Sequence, residues 1–274
     1  MLPAFVDWIW DTFFYYLNAF NIFLLTNVLG PMKQAYLNMP VVSTFVLFMG
    51  AGYIIGGIRS CLVVGSLILF IALSEYWDRT LITLYMATFA VGISAFSGII
   101  VGSLCAQNDF ASKTILSICD FFQTFPSFIY LIPVILLFGI TDTSVMIAAI
   151  AYASVPATRY TVEGLRSVPS SLHDAGAMSG VSKIQRWRLI DLPLALPHIM
   201  LGINQTVIFA LMMIVLGALI GTEDLGQLIM GSLSRPNGAG IGFTLGIFIS
   251  FICLAVDNLI RTWADERKKM LGIE

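Results

Sequence analysis

The sequence predicts an all-α, polytopic membrane protein, and three observations carry that prediction. Hydrophobic residues make up 58% of the 274 and charged residues only 11%, where a soluble domain holds roughly 25% charged residues. Several apolar runs reach the length of about 20 residues that a spanning helix needs, and short polar joints separate them. The basic residues gather in alternate joints, the asymmetry expected of a chain inserted with one orientation.

Residues 1–40 are aromatic and amphipathic rather than uniformly apolar: Trp8, Trp10, Phe13, Phe14, Tyr15 and Tyr16 mix with Asp7, Asp11, Asn18 and Asn21. Aromatic rings settle at headgroup depth, so this segment is expected to lie on the membrane. Met1 to Trp10 carries Asp7 and no base, the opposite of a signal peptide's start, so no cleavable leader is expected. Residues 41–73 are apolar apart from Arg59. As one helix the stretch would be about 50 Å long, against a hydrocarbon core of roughly 30 Å. Gly56, Gly57, Arg59 and Ser60 offer a break, which divides it into two short spans. The next spans are expected at Leu81 to Leu104, Cys119 to Ile140, Val145 to Ala157, His198 to Ile220 and Ile241 to Ile260, about seven in all.

An odd number of spans puts the termini on opposite sides. With the C-terminus inside, Arg59, Lys113, Arg159, Arg166, Lys183, Arg186, Arg188, Arg261, Arg267, Lys268 and Lys269 are cytoplasmic. Only Lys33, Arg79 and Arg235 remain outside. The positive-inside rule therefore predicts an external N-terminus and a cytoplasmic tail over 265–274.

The longest polar interruption, residues 159–193, is then cytoplasmic and reads as two short helices. Ser171 is a candidate cap for the first and Gly180 a candidate left-handed end. Ser182 is a candidate cap for the second, with Pro193 as its stop. Glu163 and Arg166, three apart, could pair across one turn.

Within this loop Asp174-Ala175-Gly176, then Gly180, then Ile190-Asp191-Leu192-Pro193 resembles the "EAA" loop of type I ABC importer permeases. Asp174 stands where the pattern has Glu, and Gly176 where it has the second Ala. The resemblance implies that residues 74–264 form an importer transmembrane domain whose coupling helix docks on a cytoplasmic ATPase subunit. Ala175, Gly176 and Ala177 would allow close approach, with Leu172 and Met178 as apolar anchors, Gly180 at the turn and His173 beside Asp174. The flanks, Gln123-Thr124-Phe125-Pro126-Ser127-Phe128 through Pro133 and Leu192-Pro193 through Thr206, are similar to permeases for glycine betaine, proline betaine and choline. Gly226 fits the same family's outer loop. The family implies an extracytoplasmic substrate-binding protein, a second copy of the permease, and placement in the inner (plasma) membrane. The chain has no G-x-x-x-x-G-K-[ST] loop, and none of its lysines follows glycine. ATP and Mg are thus expected on the partner ATPase, with no cofactor on this chain.

The candidate translocation pathway comprises Phe125, Pro126, Tyr130, Asn204, Gln205 and Met212. Prolines inside a span free backbone carbonyls, and aromatic faces attract quaternary ammonium groups. Asn204, Gln205 and Thr206 have two readings, helix packing or pathway lining. No catalytic residue is assigned. The four cysteines, Cys61, Cys105, Cys119 and Cys253, read as small buried hydrophobes with no His at metal spacing. The net charge of −2 gives no footprint for nucleic acid. A secondary transporter would call for buried mid-membrane charges and inverted repeats, neither of which is found. An amino-acid or sulfonate permease is the alternative within the class.

Overall fold

The computed structural model describes the backbone of residues 2–271 and the side chains of residues 12–176 and 178–270. The side chains of Asp7, Trp8, Trp10, Asp11 and Ala177 lie outside the described set. All regular structure among the described residues is helical. Among the described residues six helices are long and apolar enough to cross a membrane, or seven if one bent pair is a single span.

The chain begins with α1 (Leu2–Phe23), a π turn over Leu24–Leu29, and α2 (Gly30–Leu37). Thr12–Leu37 passes the length and hydropathy test for a span, with little of it buried. Its contacts argue for a different placement. Asn21 Nδ2 donates to the Phe138 carbonyl at 3.2 Å, and Lys33 Nζ lies 3.0 Å from Glu223 and 4.0 Å from Asp142. Phe138 and Asp142 sit at one end of the bundle, so this stretch runs across that end.

α3 (Val41–Ala72) is a helical hairpin. Gly57 adopts φ 65° and ψ −157°, a region essentially reserved for glycine. A Cβ placed on Gly52 would come within 3.0 Å of Cys61 Cα, and one on Gly65 within 3.0 Å of Met49 Cγ. In a straight helix residues 49 and 65 would stand about 24 Å apart. The two arms therefore pack side by side. Ser60 at the tip meets Thr262 Oγ1 at 3.3 Å, and Phe70 further along packs on Phe248 and Phe251.

The central bundle is α4 (Trp77–Cys105), α7 (Asp142–Arg166), α10 (Leu192–Gly217) and α12 (Ala239–Leu271). Small residues set its spacing: Cβ atoms on Gly98 and Gly102 would strike Ala157 and Thr161 at 2.5 and 2.7 Å. Interhelical approach through such residues is how membrane helices gain packing when lipid is as apolar as leucine. Tyr85, Met86, Val145, Ala149, Met213 and Ile214 fill the shared core.

Several expected boundaries are corrected. The span expected at Cys119 to Ile140 is broken: α5 (Asp109–Thr124) and the pair formed by a 3₁₀ turn over Ser127–Tyr130 and α6 (Leu131–Phe138) meet at 105°. Pro126 causes this, since the residue before a proline is pushed to extended backbone, and Phe125 has φ −76° and ψ 139°. The helix expected to end at Ala157 runs to Arg166. Its charged residues are accommodated because Arg159 pairs with Glu163 one turn on, and Arg166 bonds Asp109 and Ser112 rather than Glu163. At the far end α12 continues helically to Leu271.

Candidate functional site

The loop between α7 and α10 is consequently shorter than 159–193. It contains α8 (Ser170–Met178) and α9 (Lys183–Arg186). Ser171 lies inside α8 and does not cap it; the Pro169 carbonyl accepts the Leu172 N–H at 3.1 Å. Gly180, at φ 75°, ends α8 in the left-handed conformation. The Val181 N–H reaches the Gly176 carbonyl at 3.1 Å, the six-to-one bond of a Schellman turn. Ser182 caps α9 in a reciprocal box with Gln185. Pro193 does not stop this helix. A π turn over Trp187–Asp191 joins α9 to α10, and Pro193 falls in the first turn of α10, where a missing N–H costs nothing.

Two faces of α8 differ. Gly176 is buried, and a side chain there would press on Ile190 at 3.2 Å. Leu172, Asp174, Ala175 and Gly180 are exposed, and Met178 is 91% exposed. Ile184, at 79%, and Leu189 are also exposed in the same loop. His173 points inward, its Nε2 lying 2.9 Å from Asp191 Oδ1. Arg186 Nε is 3.4 Å from the other oxygen of Asp191, which is nearly buried. The loop motif places His173 among the coupling candidates and Asp191 in its Ile190-to-Pro193 element, without pairing the two. Together with Arg186 they tie α8 to the π turn that leads into α10.

The pathway candidates separate. Phe125 and Pro126 form the 105° bend, and Phe125 packs on Phe121 at 4.8 Å. Tyr130 donates its hydroxyl to the Phe122 carbonyl at 2.6 Å and meets Tyr152 edge-on at 5.1 Å. Tyr152 in turn stacks on Phe209 at 4.8 Å. Gln205 lines a cavity of about 440 Å³ with Gln123, Arg159, Tyr160, Glu163 and Phe209. Asn204 does not line it: only 2% exposed, it donates to Asp257 on α12 at 2.6 Å. Adjacent helical positions point about 100° apart, so Gln205 and Asn204 cannot share a face. Met212 is exposed and also lies outside the cavity lining. Arg159, Tyr152, Tyr160 and Phe209 had not been singled out for a pathway; a helical projection of Gln205 and Phe209, four apart, was the available signal.

At the opposite end, Asp224 caps α11 (Leu225–Leu233), accepting the Gln227 N–H at 3.0 Å and the Thr222 hydroxyl at 3.3 Å. Burial pushes its carboxyl up to about 6. Lys33 holds neighbouring Glu223 below the usual carboxylate range. Among the described residues no cluster of three His, Cys, Asp or Glu side chains could hold a metal.

These features define a multi-pass helical membrane protein with a structured loop at one end and a polar cavity within the bundle. Residues 98–269 match the family described as "Binding-protein-dependent transport system inner membrane component". The chain belongs to this family, and its fold is the transmembrane domain of a type I ABC importer. It is 63% identical over 98% of its length to the trimethylamine N-oxide transport system permease protein TmoV of Pelagibacter ubique (strain HTCC1062). It is 30% identical over 98% of its length to the glycine betaine transport system permease protein OpuAB of Bacillus subtilis (strain 168), covering 94% of that protein. It is 31% identical over 85% of its length to the glycine betaine/proline betaine transport system permease protein ProW of Escherichia coli (strain K12), covering 65% of it. The chain spans 37% of the Pelagibacter protein and 39% of a second trimethylamine N-oxide permease, from Ruegeria pomeroyi.

Proposed function

We propose that this chain is the pathway-forming permease of an ATP-driven importer for a small methylated-ammonium or amine-oxide solute. Two copies enclose the pathway, a separate ATPase docks on α8, and an extracytoplasmic binding protein delivers the solute at the Asp142 end. ATP and Mg belong to the ATPase. The observation that carries this reading is the surface of α8: Asp174, Ala175 and Met178 are exposed while Gly176 is closed against Ile190. A helix so arranged is fixed to its own bundle on one side and free for a partner on the other. The basic residues near α8 support a cytoplasmic position for it under the positive-inside rule, with the Asp142 end outside. The 63% relative supports trimethylamine N-oxide as solute, and the 30–31% relatives support glycine betaine.

The test is reconstitution of the complete transporter in proteoliposomes with trimethylamine N-oxide, glycine betaine, carnitine and choline offered separately. ATP-dependent uptake of at least one is expected. Uptake confined to amino acids or sulfonates would overturn the solute class.

A further inference from the structure

We propose that the cavity between α5, α7 and α10 is a transit subsite for a small zwitterion. Arg159 Nη2 receives the solute's negative end, and the ring of Phe209 its methylated cationic end. The solute class rests on the functional reading above; the geometry of the subsite does not.

Arg159 is held on two sides. Its Nη1 donates to Asp120 at 2.5 Å and to Gln123 at 3.2 Å, and its Nε donates to Glu163 at 3.0 Å. Nη2 has no hydrogen-bond partner among the described residues, and the side chain remains one-third exposed toward the cavity it lines. A guanidinium carries five donors in a fixed fork. Here three directions are fixed by protein, leaving the rest aimed without the entropy cost of a free arginine. Phe209 lines the same cavity, and its ring plane is set by Tyr152, stacked at 4.8 Å and 17°. Tyr130 backs Tyr152 in turn. An aromatic face attracts an ammonium group electrostatically, more strongly where water is displaced.

The charge balance selects among solutes. One guanidinium pairs with two carboxylates, Glu163 in the cavity lining and Asp120 outside it, so the cluster beside the cavity carries one surplus negative charge. A bare anion is repelled by that surplus. A bare cation is attracted, yet it leaves Nη2 unpaired. A zwitterion answers both features, its oxide or carboxylate on Nη2 and its methyl groups against Phe209. Gln205 and Tyr160 supply neutral polar contacts at the rim. The cavity, at about 440 Å³, falls within the range of small-molecule sites. A transit site needs weak binding, so partial exposure of Arg159 suits release.

The experiment uses the intact permease–ATPase complex in lipid nanodiscs, without binding protein. Ligand-observed saturation-transfer NMR is recorded with trimethylamine N-oxide and with tetramethylammonium, which lacks the oxide. Transfer to the N-oxide methyl protons is expected in the unmodified complex. Phe209→Leu, which keeps an apolar side chain and removes the π face, is expected to lower it about fivefold for both probes, the effect of one partly desolvated cation–π contact. Arg159→Lys cannot bridge its carboxylates and also reach the ligand, so it is expected to lower the N-oxide signal while sparing tetramethylammonium. If Arg159→Lys fails to assemble, Phe209→Leu alone decides. An N-oxide signal unchanged in Phe209→Leu overturns the subsite, as does no transfer in an unmodified complex that imports the N-oxide. Absence of import for every methylated-ammonium solute overturns the functional reading and the subsite together.

Discussion

At the scale of single residues, charge burial governs the two ends of the molecule differently. Asp224 is fully buried in the α11 cap, and its carboxyl is raised from 3.8 to about 6. The folded protein therefore binds the proton more tightly than the unfolded chain does between those values. The stability from this residue is fully present below about pH 4 and is lost as pH rises through 6, on the order of 3 kcal/mol at most. Asn at this position caps a helix as Asp does and does not titrate. Melting temperatures of the purified protein and of Asp224→Asn, measured between pH 4 and 8, are expected to diverge, with only the unmodified protein falling across that interval. Parallel curves would remove Asp224 as the cause. At the other end, the Ala175 side chain is exposed on α8. Ala175→Trp is expected to leave stability within about 0.5 kcal/mol, while cutting solute uptake at least tenfold by blocking close approach of the ATPase. Uptake at the unmodified rate, with the ATPase still bound in a pull-down, would show that α8 is not the coupling element.

At the scale of elements, α3 shows how one dihedral changes an architecture. Composition makes its 32 residues a long apolar helix, and length alone would make it one tilted span. The positive φ of Gly57 turns it back on itself, and Gly52 and Gly65 let the arms approach. Met49→Cys with Gly65→Cys, in a background lacking the four native cysteines, is expected to form a disulfide rapidly on mild oxidation. The reporting distance is decisive, since a straight helix would hold these positions about 24 Å apart, beyond any disulfide. Failure to cross-link would make α3 a single rod. The bend between α5 and α6 has a comparable local origin in Pro126, and it brings Tyr130 to Tyr152.

At the scale of the whole molecule, the proposed orientation rests on charge. α8 and the tip of the α3 hairpin, with Arg59 and Thr262 nearby, fall at one end, while Lys33, Arg79, Asp142 and Glu223 fall at the other. A cysteine at Ser171 is expected to react with membrane-impermeant reagents only from the cytoplasmic side, and one at Asn237 only from outside. Both positions are exposed. Reversed labelling in sealed vesicles would overturn the orientation and the docking role of α8 together.

What the sequence by itself determined was the class, the apolar segments, the glycine breaks and the helical loop between α7 and α10, because each rests on local chemistry. Apolar length demands a membrane, Gly57 and Gly180 permit left-handed turns, and Ser182 caps the helix beside it. Tertiary structure decided what depends on neighbours distant in the chain. Arg159 and Arg166 stay helical because Asp120, Asp109 and Ser112 on α5 reach them. Pro193 continues a helix because the π turn ahead of it shifts the hydrogen-bond register. Asn204 and Gln205, adjacent and chemically alike, part ways because Asp257 on α12 claims one and the cavity is left to the other. Periodicity tells which faces a helix has, and only packing tells what each face meets.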